Sequence, residues 1–319
     1  MYKILIYAHD PGGINATKPL EESLRAAGFE VVSHFKILPE NTINNFNPDL
    51  IITGTSANDK TEKNIWLKAK NKNIKTLAIL DHWVNYGIRF SKYGLLELDK
   101  FNKNPDIFPD YIIVPNNFAK EEMIKDGVRA EIIFPLGNPH FEQIKLNAPK
   151  CSEKHTDTIL FCSEPYIEDY GAGKEKIAAS DIYNFCKKNS LKLIIKLHPK
   201  EDVSKYKEFE DINVKILKEA ALTELMQKCA LTISMTSMVL IEGAILHLPI
   251  LSYQPSETNP DNFILTKQKV LPFINNNIEL CKYLTDIVLN RQPLEYNFDI
   301  NFDAKEKIAN FIRGEICQS

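Results

Sequence analysis

No apolar run in this chain approaches the ~20 residues that a membrane-spanning helix needs. The six cysteines, Cys151, Cys162, Cys186, Cys229, Cys281 and Cys317, lie far apart and form no C-x-x-C pair. That spacing argues against a thiolate zinc site and for reduced thiols in a cytoplasmic setting, most of them plain core residues. Basic residues are not in excess: 39 Lys and Arg face 42 Asp and Glu, leaving a net charge of −3 with the cations scattered along the chain. A nucleic-acid binder would carry a basic patch, so nucleic acid is not expected as a partner. The opening MYKILIYAHD runs directly into a strand pattern, without a charged segment followed by a long apolar core, so no export signal is expected. Attachment to the inner face of a membrane stays open. There are no short-period repeats and no low-complexity tracts. No G-x-G-x-x-G is found, and no D-x-D-like segment beside a strand suggests a metal-bound diphosphate, so neither a metal nor a cofactor is expected.

What the chain has is 319 residues with 44% hydrophobic and 25% charged content, the make-up of an ordinary globular protein with room for two domains. Short β-rich runs alternate with helical stretches: YKILIYA (2–8), a helix over 15–28, FEVVSHF, DLIIT, a polar helix through Trp66, KTLAILD, YIIVP, a helix over 117–127, and EIIFPLG. Strands at that spacing predict βαβ units and a doubly wound parallel sheet. Residues 146–157 are polar and without periodicity, and read as a linker between an N-terminal domain (1–145) and a second α/β domain (158–302). There the rhythm restarts with TILFCS, a helix over 174–189, LKLIIKL, NVKIL, a helix over 221–229, ALTISM, a helix over 237–247 and PILSY. The last segment, 303–319, reads as an amphipathic helix able to pack back on the first domain. Two such domains would face each other across a cleft, with ligands at the carboxyl ends of the strands.

Five polar stations fall at such strand ends. In AHDPGGINATKP (8–19), Gly12 and Gly13 open a helix start, while His9 and Asp10 could act as a general base; a tight βα turn with local hydrogen bonds to Asp10 is the plain alternative. In ILDHWVNYGIRF (79–90), Asp81, His82, Asn85 and Arg89 stand beside Trp83 and Tyr86, a set suited to a sugar or carboxylate, or to a packed loop with an Asp–Arg pair. In FCSEPYIEDYGAG (161–173), Ser163 and Glu164 follow the strand, as a phosphate- or base-contacting loop or an ordinary one. In IIKLHPKED, Pro199 restricts His198 to an extended backbone, from which the imidazole could donate to a phosphate; a solvated strand-end histidine is the alternative. In LTISMTSMVLIEGAILHLPILSY (231–253), Ser234, Thr236 and Ser237 stand at a helix N-terminus suited to an anion. Glu242 lies inside that apolar helix and wants a partner such as a ribose diol, unless it simply sits at the rim of a capped core helix.

With these stations in place, the chain resembles the GT-B glycosyltransferase superfamily over nearly its whole length, which implies two Rossmann-like domains and a nucleotide sugar as co-substrate. PLGNPHFEQI (135–144) is similar to the Gly-Asn-Pro segment of lipid A disaccharide synthase and of hydrolysing UDP-N-acetylglucosamine 2-epimerases. Thr236, Ser237, Glu242 and Pro249 resemble the superfamily's nucleotide-binding helix, and the His-Pro pair with its downstream hydroxyls resembles bacterial sialyltransferases and capsule transferases. The resemblance implies that His198 faces the donor phosphate, that Ser234, Thr236 and Ser237 bind it at the helix end, that Glu242 holds the ribose, and that Asp10 or His9 is the acceptor-side base; Ser163, Glu164 and Pro199 join them as candidate nucleotide-sugar-binding residues. Asp81, His82, Asn85 and Arg89, with Gly12 and Gly13, would meet the other substrate. The acidic-acidic-glycine motif of the sialyltransferases has its nearest match in Glu168-Asp169-Tyr170-Gly171, with an inserted Tyr and in the second domain. The expected activity is metal-independent glycosyl transfer to a surface polysaccharide or glycoconjugate, by a monomer or homodimer, with a CMP-linked nonulosonic acid or Kdo-type sugar among the candidate donors. Hydrolytic 2-epimerisation of a nucleotide sugar is the alternative, and nucleotide-sugar binding without catalysis a third.

Overall fold

The computed structural model describes residues 1–148, 155–167, 173–257, 263–298 and 300–317. The chain separates into two compact units, residues 1–146 together with 300–319, and residues 147–299. Both are α/β with entirely parallel sheets.

In the first unit the strands are β1 (Lys3–Ala8), β2 (Glu30–Phe35), β3 (Leu50–Thr53), β4 (Lys75–Ile79), β5 (Tyr111–Ile113) and β6 (Ile133–Phe134). Their order is β2-β1-β3-β4-β5-β6. Central strands covered on both faces read as unbroken apolar runs, and ILIYA and LII are fully buried for that reason. The chain steps from β1 to β2 on one side and to β3 on the other, so the winding reverses at β1/β3. Parallel sheets offer a crevice outside the carboxyl ends at such a point.

The sequence suggests one helix over 15–28; the structure has two, Pro11–Thr17 and Leu20–Ala26. Pro19 breaks the run, because it lacks the N–H that a continuing helix needs and its ring crowds the preceding turn. Pro11, by contrast, sits at the helix start, where the missing N–H costs nothing. The C-terminal helix Ala304–Phe311 and the wider turn after it bury Ile308, Ile312 and Ile316 among Leu20, Leu24 and Phe29. Burying side chains of this size contributes roughly 1.5–3 kcal/mol each. Phe311 adds ring contacts to Phe134 at 4.5 Å and Tyr111 at 5.5 Å.

The second unit has β7 (His155–Cys162), β8 (Lys192–Lys196), β9 (Val214–Leu217), β10 (Cys229–Ser234) and β11 (Ile250–Ser252), in the order β11-β10-β7-β8-β9. Its reversal lies between β7 and β10. β7 begins at His155, so the last residues of the stretch read as a linker belong to a strand. Helix Lys174–Lys188 seats Ala178, Ala179, Ile182 and Phe185 against the sheet. Cys151 and the Glu168–Gly171 motif lie outside the described residues. Among the described residues, no helix is long and apolar enough to cross a membrane.

Candidate functional site

In the first unit the loops after β1, β3 and β4 carry a cluster of carboxylates. Its innermost member is Glu62, in the first turn of helix Thr61–Lys70 and only 1% exposed. Its Oε1 accepts the backbone N–H of His9 (3.2 Å) and its Oε2 that of Ser56 (2.5 Å), which ties the β1 and β3 loops together. Burial, reinforced by the charges of Asp10 and Asp81, pushes the carboxyl up from 4.5 to about 7, against the pull of the two N–H donors.

Glycine is required here by close approach. A Cβ on Gly12 would lie 2.0 Å from Asp81 Oδ2, and one on Gly54 would lie 2.7 Å from Glu62 Oε1 and 3.0 Å from the Gly13 Cα. Gly12 makes room for the Asp81 carboxylate, and Gly13 lies against the Gly54 backbone.

Asp81 is held by Arg89 at 2.8 Å. The guanidinium is 7% exposed and also donates to the Thr55 carbonyl (2.7 Å), Thr55 Oγ1 (3.2 Å) and the Val84 carbonyl (3.2 Å). Arg89 thus ties the loop together, and the Asp–Arg pair is formed. The His82 ring is half-buried, and its Nδ1 is sealed off without a partner among the described residues. Burial drives its pKa down to about 4, so the imidazole is neutral near pH 7. Asn85 takes a left-handed backbone at φ 57°, which asparagine tolerates. Trp83 stacks on Phe141 with centroids 5.3 Å apart and donates to Asn116 Oδ1 at 3.2 Å, so it belongs to the packing.

His9 and Asp10 end β1, both half-buried. His9 Nε2 lies 3.7 Å from Asp59 Oδ2, and its Nδ1 meets the Lys36 carbonyl at 3.2 Å. The Asp10 side chain does not cap the helix that follows it. Lys63 is 1% exposed, with its ammonium facing the carbonyls of Tyr93 (3.3 Å) and Ala57 (3.5 Å); burial lowers its pKa to about 8.

In the second unit the switch point between β7 and β10 holds Glu164. Its Oε1 accepts from Ser234 Oγ (3.0 Å), Met235 N (2.8 Å) and Thr236 N (2.7 Å), and its Oε2 from Thr236 Oγ1 (2.8 Å). The donors expected to meet a phosphate thus enclose an internal carboxylate. Burial raises the Glu164 pKa despite those four donors. Ser234 is fully buried and also donates to the Cys162 carbonyl. Ser237 caps helix Met238–Ile245 by accepting from Val239 N, and Glu242 is half-buried on that helix.

Ser163 is 5% exposed and donates inward to Glu201 Oε1 at 2.7 Å, with Tyr206 on its other side, so its hydroxyl proton is committed to the interior. His198 ends β8 half-buried, its N–H on Glu201 Oε2 (2.7 Å) and its Nδ1 accepting from Lys200 N (3.2 Å). Glu201 pairs with Lys205 at 2.7 Å and Lys205 with Glu175 at 2.6 Å, both glutamates 0% exposed. Among the described residues, no group of three or more His, Cys, Asp or Glu is placed to hold a metal ion.

Solved structures share this fold along nearly the whole chain. The UDP-GlcNAc 2-epimerase of Methanocaldococcus jannaschii is 14% identical over 98% of this chain and 99% of its own, with a TM-score of 0.68. That of Neisseria meningitidis, solved bound to UDP-GlcNAc, is 14% identical over 98% and 100%, with a TM-score of 0.69. The glycotransferase of kitacinnamycin is 12% identical over 98% and 94%, with a TM-score of 0.59. At these identities the likeness establishes the fold, two Rossmann-like α/β units of the GT-B type. No protein-family model matches the chain, and no curated protein does.

Proposed function

We propose that this chain is an enzyme acting on a nucleotide sugar, working as a hydrolysing 2-epimerase on UDP-N-acetylglucosamine or a close analogue. The observation that carries this reading is the cluster of Asp10, Glu62 and Asp81 at the β1/β3 switch point, with Glu62 titrating at about 7. Inverting C2 of a sugar takes one proton off that carbon and returns another on the opposite face. Loss of the C2 proton together with UDP from C1 leaves a C1=C2 double bond. Water adding at C1 and a proton at C2 then complete the sum: nucleotide sugar plus water gives UDP and the C2-inverted free sugar. Such chemistry needs a carboxylate placed to take a proton and return one beside the sugar.

Asp10, half-buried at the end of β1, is assigned the proton transfer, and Glu62 sets the charge of the cluster behind it. Asp81, fixed by Arg89, holds the loop beside Gly12. In the second unit His198 is assigned to the leaving phosphate, whose negative charge an imidazole donor stabilises. Two of the three solved structures named above are 2-epimerases, which supports the reading.

Glycosyl transfer is the second reading, favoured by the fold shared with the kitacinnamycin glycotransferase and by a chemistry that needs one base only. A thermal-shift panel of CMP, UDP, GDP, ADP and TDP separates them at the first step. A ligand at a hundred times its Kd adds about 2.7 kcal/mol of stability. UDP is expected to give the largest shift; a preference for CMP would favour the transferase reading and sink the epimerase one.

A further inference from the structure

The turn that ends β8 has the sequence His198-Pro199-Lys200-Glu201, and it is bonded in both directions. The Glu201 N–H donates to the His198 carbonyl at 3.0 Å, while the Glu201 carboxylate accepts the His198 N–H at 2.7 Å. Pro199 has no N–H, so Lys200 supplies the first backbone donor after the histidine, and it points at His198 Nδ1 at 3.2 Å. A neutral imidazole carries one donor and one acceptor nitrogen. With Nδ1 accepting, the ring proton is on Nε2.

Glu201 is itself fully buried, and its Oε1 collects the Ser163 hydroxyl and the Lys205 ammonium, both at 2.7 Å. One side chain therefore fixes the loop after β7 and the turn after β8, on neighbouring strands. Lys205 is shared with Glu175, which accepts the Ile167 N–H at 2.9 Å. Burying two carboxylates and one ammonium is costly, and apolar replacements of similar volume are often as stable or more so. What the arrangement provides is a fixed turn.

We propose that Glu201 is a positioning residue that holds His198 as an Nε2–H donor toward the phosphate oxyanion of a nucleoside diphosphate. The proposal rests on the reading above, in which His198 meets the leaving phosphate. Lys205, shared with Glu175, holds the Glu201 carboxylate in place beside the turn.

The test is a double-mutant cycle on UDP affinity by calorimetry, with His198→Ala, Glu201→Gln and the pair. Each single variant is expected to weaken binding about tenfold, the size of one lost hydrogen bond to a charged group. The pair is expected to be no weaker than His198→Ala alone. A Glu201→Gln effect that persists in the His198→Ala background, or none where His198→Ala has one, overturns the proposal. Unchanged affinity in His198→Ala overturns the phosphate reading and this proposal with it. Nitrogen NMR of histidine-labelled wild-type protein needs no variant to fold: His198 is expected as the Nε2–H tautomer, and the Nδ1–H tautomer overturns the positioning.

Discussion

Replacing Glu62 with glutamine keeps the volume of a side chain that is 1% exposed while removing its ability to ionise. In the folded protein the carboxyl titrates at about 7, against 4.5 when unperturbed. A gap of about 2.5 units at ~1.36 kcal/mol each is worth about 3 kcal/mol. The sign follows from proton counts. Between 4.5 and 7 the native state keeps a proton that the unfolded chain has released, so stability falls as pH rises through that window and levels off above it. Glutamine removes the slope at a cost. It offers one carbonyl oxygen where two backbone N–H groups, from His9 and Ser56, now have an acceptor each, and an orphaned buried donor costs roughly 1–3 kcal/mol. Glu62→Gln is therefore expected to be about 1–3 kcal/mol less stable than wild type at pH 5, and at pH 8 to be level with it or up to about 2 kcal/mol more stable. Both tryptophans, Trp66 and Trp83, lie in the first unit, so urea unfolding followed by tryptophan fluorescence reports that unit alone. A stability difference that is the same at pH 5 and pH 8 would refute the reasoning.

Gly12→Ala places a methyl 2.0 Å from Asp81 Oδ2 and must displace the carboxylate that pairs with Arg89. Overpacking of this kind costs roughly 1–3 kcal/mol, and turnover is expected to fall with it; urea unfolding and an activity assay check both, and no change in either would contradict the placement of Asp81. Glu164→Ala empties the nest formed by Ser234, Met235 and Thr236. Calorimetry is expected to show tighter binding of inorganic pyrophosphate, because those N–H groups lose their internal acceptor; weaker binding would show that the nest does not take a phosphate.

The α/β rhythm was legible because strand and helix periodicities are local, and the parallel sheets follow from it. Strand ends were legible as places for chemistry for the same reason, and Asp10, Asp81, Glu164 and His198 all stand there. What each does with its side chain was not legible. Ser163 and Ser234 look like open hydroxyls in the sequence, yet their partners, Glu201 and Glu164, are 38 and 70 residues away. Glu62 is not marked inside a polar helix, since periodicity picks out apolar faces and says nothing of a charged side chain turned inward. One signal was present: an acidic residue in the first turn of the helix that follows the Gly54 loop. Glu201 lies within IIKLHPKED, but its burial depends on Lys205 and Glu175, which only the fold brings to it.

The central claim is tested most directly by incubating the wild-type protein with UDP-N-acetylglucosamine in heavy water, with no acceptor present. The account predicts equal release of UDP and N-acetylmannosamine, with one deuterium at C2 of the sugar. Turnover only after an acceptor is supplied, or release of N-acetylglucosamine without deuterium at C2, would contradict it.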